Sequence, residues 1–198
     1  GGVAVGASLA DATTNGTFKA YFSGTVADSS GTDIGAVDMT ILVDSVNIAY
    51  ANAQAVAGGI VSGAGADADA TASPTLEVYI SDGTVYLSGE LLIKAFSDSK
   101  AEAEALGVAA GGLTVGVSLA DATVSPTVKA TISGTSNITA DGGIAIKALH
   151  NRNADGSEIS GNQATTHASA PGGALIGGNG ADATSVANAS VEAGVDSG

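Results

Sequence analysis

The hexapeptide Ser-Leu-Ala-Asp-Ala-Thr stands at residues 8–13 and again at 118–123. Related phrases occupy 66–71 (ADADAT) and 180–184 (GADAT). Recurrence over a long period constrains a chain more than local propensity does, because each unit must bury its apolar face against its neighbours. The Asp-Ala-Thr cores begin at Asp11, Asp69, Asp121 and Asp182, so the period is long and not quite regular. A glycine pair precedes each one: Gly1-Gly2, Gly58-Gly59, Gly111-Gly112 and Gly172-Gly173. These landmarks divide a single repetitive domain, 1–198, into units 1–57, 58–110, 111–171 and a partial 172–198.

Inside the units, apolar residues alternate. TFKAYFS (17–23), PTLEVYIS (74–81) and PTVKATIS (126–133) each place apolar side chains on one face. That face carries Phe18, Ala20 and Phe22, then Leu76, Val78 and Ile80, then Val128, Ala130 and Ile132. Lys19, Tyr21, Glu77, Tyr79, Lys129 and Thr131 fall on the other. A period of two with one apolar face marks a half-buried strand. Pro74 and Pro126 sit at strand starts, where a missing N–H is tolerated. GELLIKAF (89–96) and GGIAIKAL (142–149) share Ile-Lys-Ala, with a looser counterpart at 36–46. Gly, Asp and Ser clusters at 81–83, 140–143 and 153–157 read as turns. GAGADADATA (63–72) reads as a strand with Ala64, Ala66, Ala68, Ala70 and Ala72 inward and Asp67 and Asp69 outward. SKAEAEALG (99–107) is the best helix candidate, since alanine, glutamate and lysine favour helix. The expected core comprises Phe18, Phe22, Leu76, Val78, Ile80, Ile93, Val128, Ile132 and Ile146.

Several short strands in each unit of roughly 50–60 residues point to an all-β fold, a right-handed parallel β-helix or β-solenoid. Two or three coils of roughly 20 residues each would fill one unit, giving a rod of about 40–50 Å. The alternative is a β-sandwich or jelly roll, for which Asn15-Gly16 supplies a hairpin signal. Apolar residues make up 44% of the chain, mostly Ala and Val, with no Trp. Side chains this small favour a thin core with sheets close together.

The net charge of −14 argues against nucleic acid and against anionic membrane surfaces. No apolar run is long enough for membrane insertion. The absence of Cys excludes disulfides and thiolate metal sites. No signal peptide is evident and the first residue is not Met, so a processed form or a piece of a longer array is expected.

The stretch GVSLADATVSPTVKATISGTSNITADGGIAIKA (116–148) resembles the repeats of large bacterial surface proteins, the filamentous haemagglutinin-like and autotransporter-like adhesins. The likeness is one of style, in Ala/Gly/Thr-rich strands such as V-x-P-T-V-K-A-x-I. It implies an exported, extracellular or cell-surface protein with a structural or adhesive role, and transfers no catalytic residue.

Chemistry-bearing patterns are sparse. GGNGADATS (177–185) matches the start of a calcium-binding nonapeptide, and SGAGAD (62–67) nearly does. Asp67, Asp69 and Asp182 are therefore the candidate Ca2+ ligands, against a solvated acidic strand face as the plain alternative. His150 and His167 lie in no metal-ligand spacing and read as surface histidines. No G-x-S-x-G elbow or phosphate-cradling loop is present. Sugar cleavage on paired carboxylates fits poorly with six basic residues and no Trp. Thr13-Thr14 and Thr165-Thr166 do not form the regular rows of an ice-binding face. Asn15, Asn137 and Asn188 head glycan-acceptor triplets. The expectation is a non-enzymatic structural protein: a rigid acidic solenoid in a filament, sheath or adhesin stalk. Its partner would be itself, as further copies or as further repeats of the same chain stacked end to end, with an unspecified cell-surface or glycan ligand as a further candidate. A calcium-dependent secreted adhesion module is the alternative.

Overall fold

The structure, a computed structural model, describes residues 2–28 and 30–196. Gly1, Ser29 and residues 197–198 lie outside it, and with them part of the first glycine pair. All regular elements among the described residues are strands. They are β1 (Val3–Thr14), β2 (Thr17–Phe22), β3 (Thr25–Val26), β4 (Met39–Ala72), β5 (Thr75–Ser81), β6 (Thr84–Leu87) and β7 (Glu90–Val124). There follow β8 (Thr127–Ser133), β9 (Asn137–Ala140), β10 (Gly143–His150), β11 (Ala164–Ser169), β12 (Gly172–Ala187) and β13 (Ser190–Val195).

Each pair of these strands is parallel. The first sheet runs β1-β4-β7, with β10, β11 and β12 following one another along the far edge of β7. The second runs β13-β8-β5-β2 and the third β3-β6-β9. The chain visits the three sheets in turn and returns, so stacked parallel sheets result, an arrangement compatible with a β-helix or solenoid. Asn15-Gly16 joins β1 to β2, which lie in different sheets, so it is a corner and not the hairpin of a sandwich.

The size of one circuit differs from the sequence expectation. β4 pairs with β7 over almost its whole length, from Met39↔Leu91 to Ala72↔Val124. One circuit therefore takes the chain from Met39 all the way round to Leu91, and the expected division of each unit into two or three short coils is corrected. The reason lies in β4 and β7, 34 and 35 residues long, whose pairing runs on through the glycine pairs. In β4 the buried positions are odd from Ile41 to Ala57 and even from Ser62 to Ala72. In β7 they are odd from Leu91 to Ala109 and even from Thr114 to Val124. A strand alternates strictly, so the phase reverses at Gly58–Val61 and Ala110–Leu113. There the chain doubles back and turns its two alanine faces towards each other.

The result is a slab two layers thick. Its first arm (39–57 or 91–109) is about 60 Å long at ~3.3 Å per residue. The second arm and the strand that follows it, β5 or β8, form the opposite layer. Two complete circuits, β4–β6 and β7–β9, with a partial one on each side at ~4.8 Å spacing, span only about 14 Å along the stacking direction. The expected long rod is corrected accordingly: the long dimension lies across the stack.

The core tapers along the slab. Beside the glycine corner it is alanine on alanine: Ala49–Ala57 of the first arm against Ala64–Ala72 of the second. Toward the other end, Ile41, Val43, Leu91 and Ile93 pack on Leu76, Val78, Ile80 and Val128. At the alanine end the layers approach so closely that a Cβ on Gly6 would lie 2.7 Å from the Val56 carbonyl oxygen. Pro74 and Pro126 are fully buried at the corners between the second arm and β5 or β8. Around them the ladder continues, Ser73 and Thr75 donating to the Thr14 and Gly16 carbonyls.

Two expectations for individual segments are corrected. Residues 99–107 are strand within β7: Ala101, Ala103 and Ala105 are buried while Lys100, Glu102 and Glu104 face outward. Burial at every second residue wins over helix propensity here. Phe18 is on the expected face but 39% exposed, because β2 is the end strand of its sheet and nothing covers it. Phe22 and Ile146 are only partly buried against the core, whereas Leu76, Val78, Ile80, Ile93, Val128 and Ile132 are buried.

Candidate functional site

The outer faces carry the chemistry-bearing side chains, and parallel in-register pairing stacks them into columns. Asp11, Asp69 and Asp121 form one such column, each directly beside the next. Burial, followed by the charges of Asp67, Asp121 and Asp11, pushes the Asp69 carboxyl above its usual range. Asp67 is stacked between Leu9 and Leu119. Asp182 is not in the aspartate column. Its register sets it beside Leu119 and puts Thr184 beside Asp121, because the last phrase is shifted along its ladder by one outward-facing position. A slip by an even number of positions keeps the same face outward. The three calcium candidates are thus not brought together, and among the described residues no group of three or more His, Asp or Glu is arranged to hold a metal.

A second column alternates in sign: Lys19, Glu77, Lys129, Glu192. Lys19 Nζ lies 2.6 Å from Glu77 Oε2, and Lys129 Nζ lies 3.1 Å from Glu192 Oε1 and 3.5 Å from Asp196 Oδ2. The glutamates hold both lysine pKa values above the ordinary range, in each case first through a hydrogen bond to the ammonium. Next to this column Tyr21 and Tyr79 stack with ring centroids 5.4 Å apart and planes inclined by 12°. Alternation along the chain puts these residues on the outer face. The alternation of charge down the stack is visible only once each passage is set against the next in its own register.

On the first arm, Glu104 Oε2 accepts hydrogen bonds from Tyr50 Oη at 2.9 Å and Asn52 Nδ2 at 2.7 Å. His167 lies next in register to Glu104, beside a shallow depression also lined by Gln54 and Ser169. His150 is half-buried at the end of β10, its Nδ1 3.2 Å from the Ser97 carbonyl oxygen. Burial lowers its pKa, against smaller opposing effects of that hydrogen bond and of Asp98. Thr13, Thr71 and Thr123 do form a column down the stack, invisible along the chain, but its neighbour is the aspartate column rather than a second row of threonine. Asn15 lies at the first corner, Asn188 at the last, and Asn137 Nδ2 donates to Tyr86 Oη at 2.9 Å.

Two excursions leave the stack. Thr25 pairs with Thr84 and Met39 with Leu91, so the chain from β3 to β4 is longer than the chain from β6 to β7 beside it. Asp28 organises that extra segment: its carboxylate accepts from the Ser30 hydroxyl and from the Thr32 and Asp33 N–H groups, which lowers its pKa to about 2. The second excursion joins β10 to β11. β10 ends with His150 beside Ser97, and β11 begins with Ala164 beside Ala101, so the chain between them outruns the ladder. Asn151, at φ 50°, anchors this segment by accepting from Ser99 N at 2.7 Å and donating to the Ser99 and Asn162 carbonyls.

Compared with protein-family models, curated proteins and solved structures, the chain matches none.

Proposed function

We propose that the chain is a β-solenoid with a mechanical role: an exported, acidic structural element of a bacterial surface filament, sheath or adhesin stalk. The observation that carries this reading is the pair of open ends. β1, β2 and β3 at one end, and β9 to β13 at the other, each leave an edge without a partner strand among the described residues. At those ends inward-facing apolar side chains stay uncovered, Phe18 at 39% and Val191 at 48% exposure. Unpaired edges beside an uncovered core are templates for further strands. Repetition is the arrangement that covers them.

The outer faces fit the same reading. They carry ion pairs and carboxylates beside apolar columns such as Val3–Val61–Leu113–Ile176, and the excess acid works against lateral adhesion. The resemblance to surface adhesins and the acidity support an extracellular place for it. Electron microscopy of the purified protein, with and without a chelator, tests the proposal. Ribbons or stacks with a ~4.8 Å repeat along their axis, unchanged by chelation, are the expected result. Compact single particles at every concentration would remove the self-assembly part, and stacks lost only with the chelator would favour the calcium-dependent module.

A further inference from the structure

We infer that two copies of this chain join head to tail in one register, β12 and β13 of one copy lying against β1 and β2 of the next, selected by the charge column Lys19–Glu77–Lys129–Glu192. This rests on the stacking reading above and adds the partner surface and its alignment.

The register follows from the ladders already present. Val3, Val61, Leu113 and Ile176 occupy one column, and Thr14, Ala72, Val124 and Ala187 another. Thr17, Thr75, Thr127 and Ser190 head the columns of β2, β5, β8 and β13, which end at Phe22, Ile80, Ile132 and Val195. Continuing each column by one step sets Ile176 of one copy beside Val3 of the next, and Ser190 beside Thr17. All charged neighbours across the joint are then compatible. Glu192 meets Lys19, extending the alternation that Lys129 and Glu192 already display at 3.1 Å. Asp182 meets Leu9, repeating the Leu9–Asp67–Leu119–Asp182 sequence of its own column. Thr184 meets Asp11, so the aspartate column is interrupted after three carboxylates. Had the last phrase kept step with the others, Asp182 would have met Asp11, and like charges directly opposite one another are destabilising.

The interior continues as well. Val191 covers Phe18, Val195 covers Phe22, and Gly194 leaves room over the exposed ring of Tyr21. The joint uses the 12 residues of β1 and the six of β2. Beside it, the first arm of β4 and the β10–β11 edge of the other copy stay one strand apart, so the four named strands carry the contact.

Charge reversal gives a test that needs no ligand. Lys19→Glu chains present like charges to their own kind across the joint, and so do Glu192→Lys chains, but an equimolar mixture restores opposite charges at every mixed joint. Sedimentation velocity over a concentration series should show each variant alone associating at least about tenfold more weakly than the unaltered chain. The mixture should recover most of that loss. Circular dichroism checks that strands persist. Should a reversed chain unfold, Lys19→Gln and Glu192→Gln replace it: each must weaken association alone, and mixing must restore dimers through the one joint that sets an intact Glu192 against an intact Lys19. Association indifferent to all these changes overturns the joint while leaving stacking itself standing. An unaltered chain that remains monomeric throughout overturns both.

Discussion

Gly111 shows how tightly single atoms are constrained where the strands double back. A Cβ there would collide with the carbonyl oxygen of Gly59 in the adjoining passage, a backbone atom that cannot rotate away. Gly111→Ala should therefore cost about 2 kcal/mol or more, read as a lowered melting temperature. Gly65, with open space around its Cα, should accept Ala with little change. Asn151 is the second sensitive residue. Asn151→Ala would leave the Ser99 N–H without its acceptor and put alanine at positive φ, a loss of about 2 kcal/mol. The aspartate column gives a pH signature. Asp69 has its pKa raised in the folded chain, so its ionised form opposes folding, and stability falls as pH rises from 3.8 through the raised value. Asp69→Asn should raise the melting temperature at pH 7 by about 1 °C, a small effect at an exposed site. That gain should vanish below the ordinary carboxylate range. Asp28 has the opposite sign: its hydrogen bonds favour folding above pH 3.8 and are lost as pH falls through about 2.

At the level of the strand, alternation is the readable signal. It locates the inward faces of β2, β5 and β8 residue by residue and the alanine face of 64–72. It does not reveal how long the strands are, because Gly58-Gly59 and Gly111-Gly112 look like turns while the pairing runs through them. The reversal of phase at those glycines is present in the sequence as a shift of alanines from odd to even positions. Its meaning, two faces closing on each other, depends on contacts between residues that no local window contains. The same limit applies to 99–107, where composition favours helix and the alanine layer opposite selects strand. Ala103 is fully buried in that layer. Ala103→Leu should therefore cost about 3 kcal/mol by overpacking, whereas a change of the outward Gln54 to Leu should stay within about 0.5 kcal/mol. Chemical denaturation of the two variants in parallel separates the effects.

Across the whole molecule, periodic spacing points to stacked parallel sheets but misjudges how much chain one circuit uses. The uneven spacing of the Asp-Ala-Thr phrases mixes two causes, excursions of the backbone and a slip of the last phrase, and only pairing separates them. The outward columns are illegible for the same reason. Lys19, Glu77, Lys129 and Glu192 have no local pattern in common; they become neighbours only when the unequal passages are laid in register. Both excursions leave the ladders at bends, and β4 and β7 run side by side with a single register from end to end. That continuity has a genetic corollary. A stretch of codons that starts at any residue of β4 and stops just short of its β7 neighbour, copied in tandem, would add one passage with the register and the inward and outward faces preserved. A chain carrying a second copy of residues 58–109 directly after Ala109 should fold, gain strand signal in proportion, and melt no lower than its parent. Duplication by unequal exchange would lengthen such a gene without first passing through a misfolded product, whereas an odd-numbered insertion inside an arm would turn its buried face out to water.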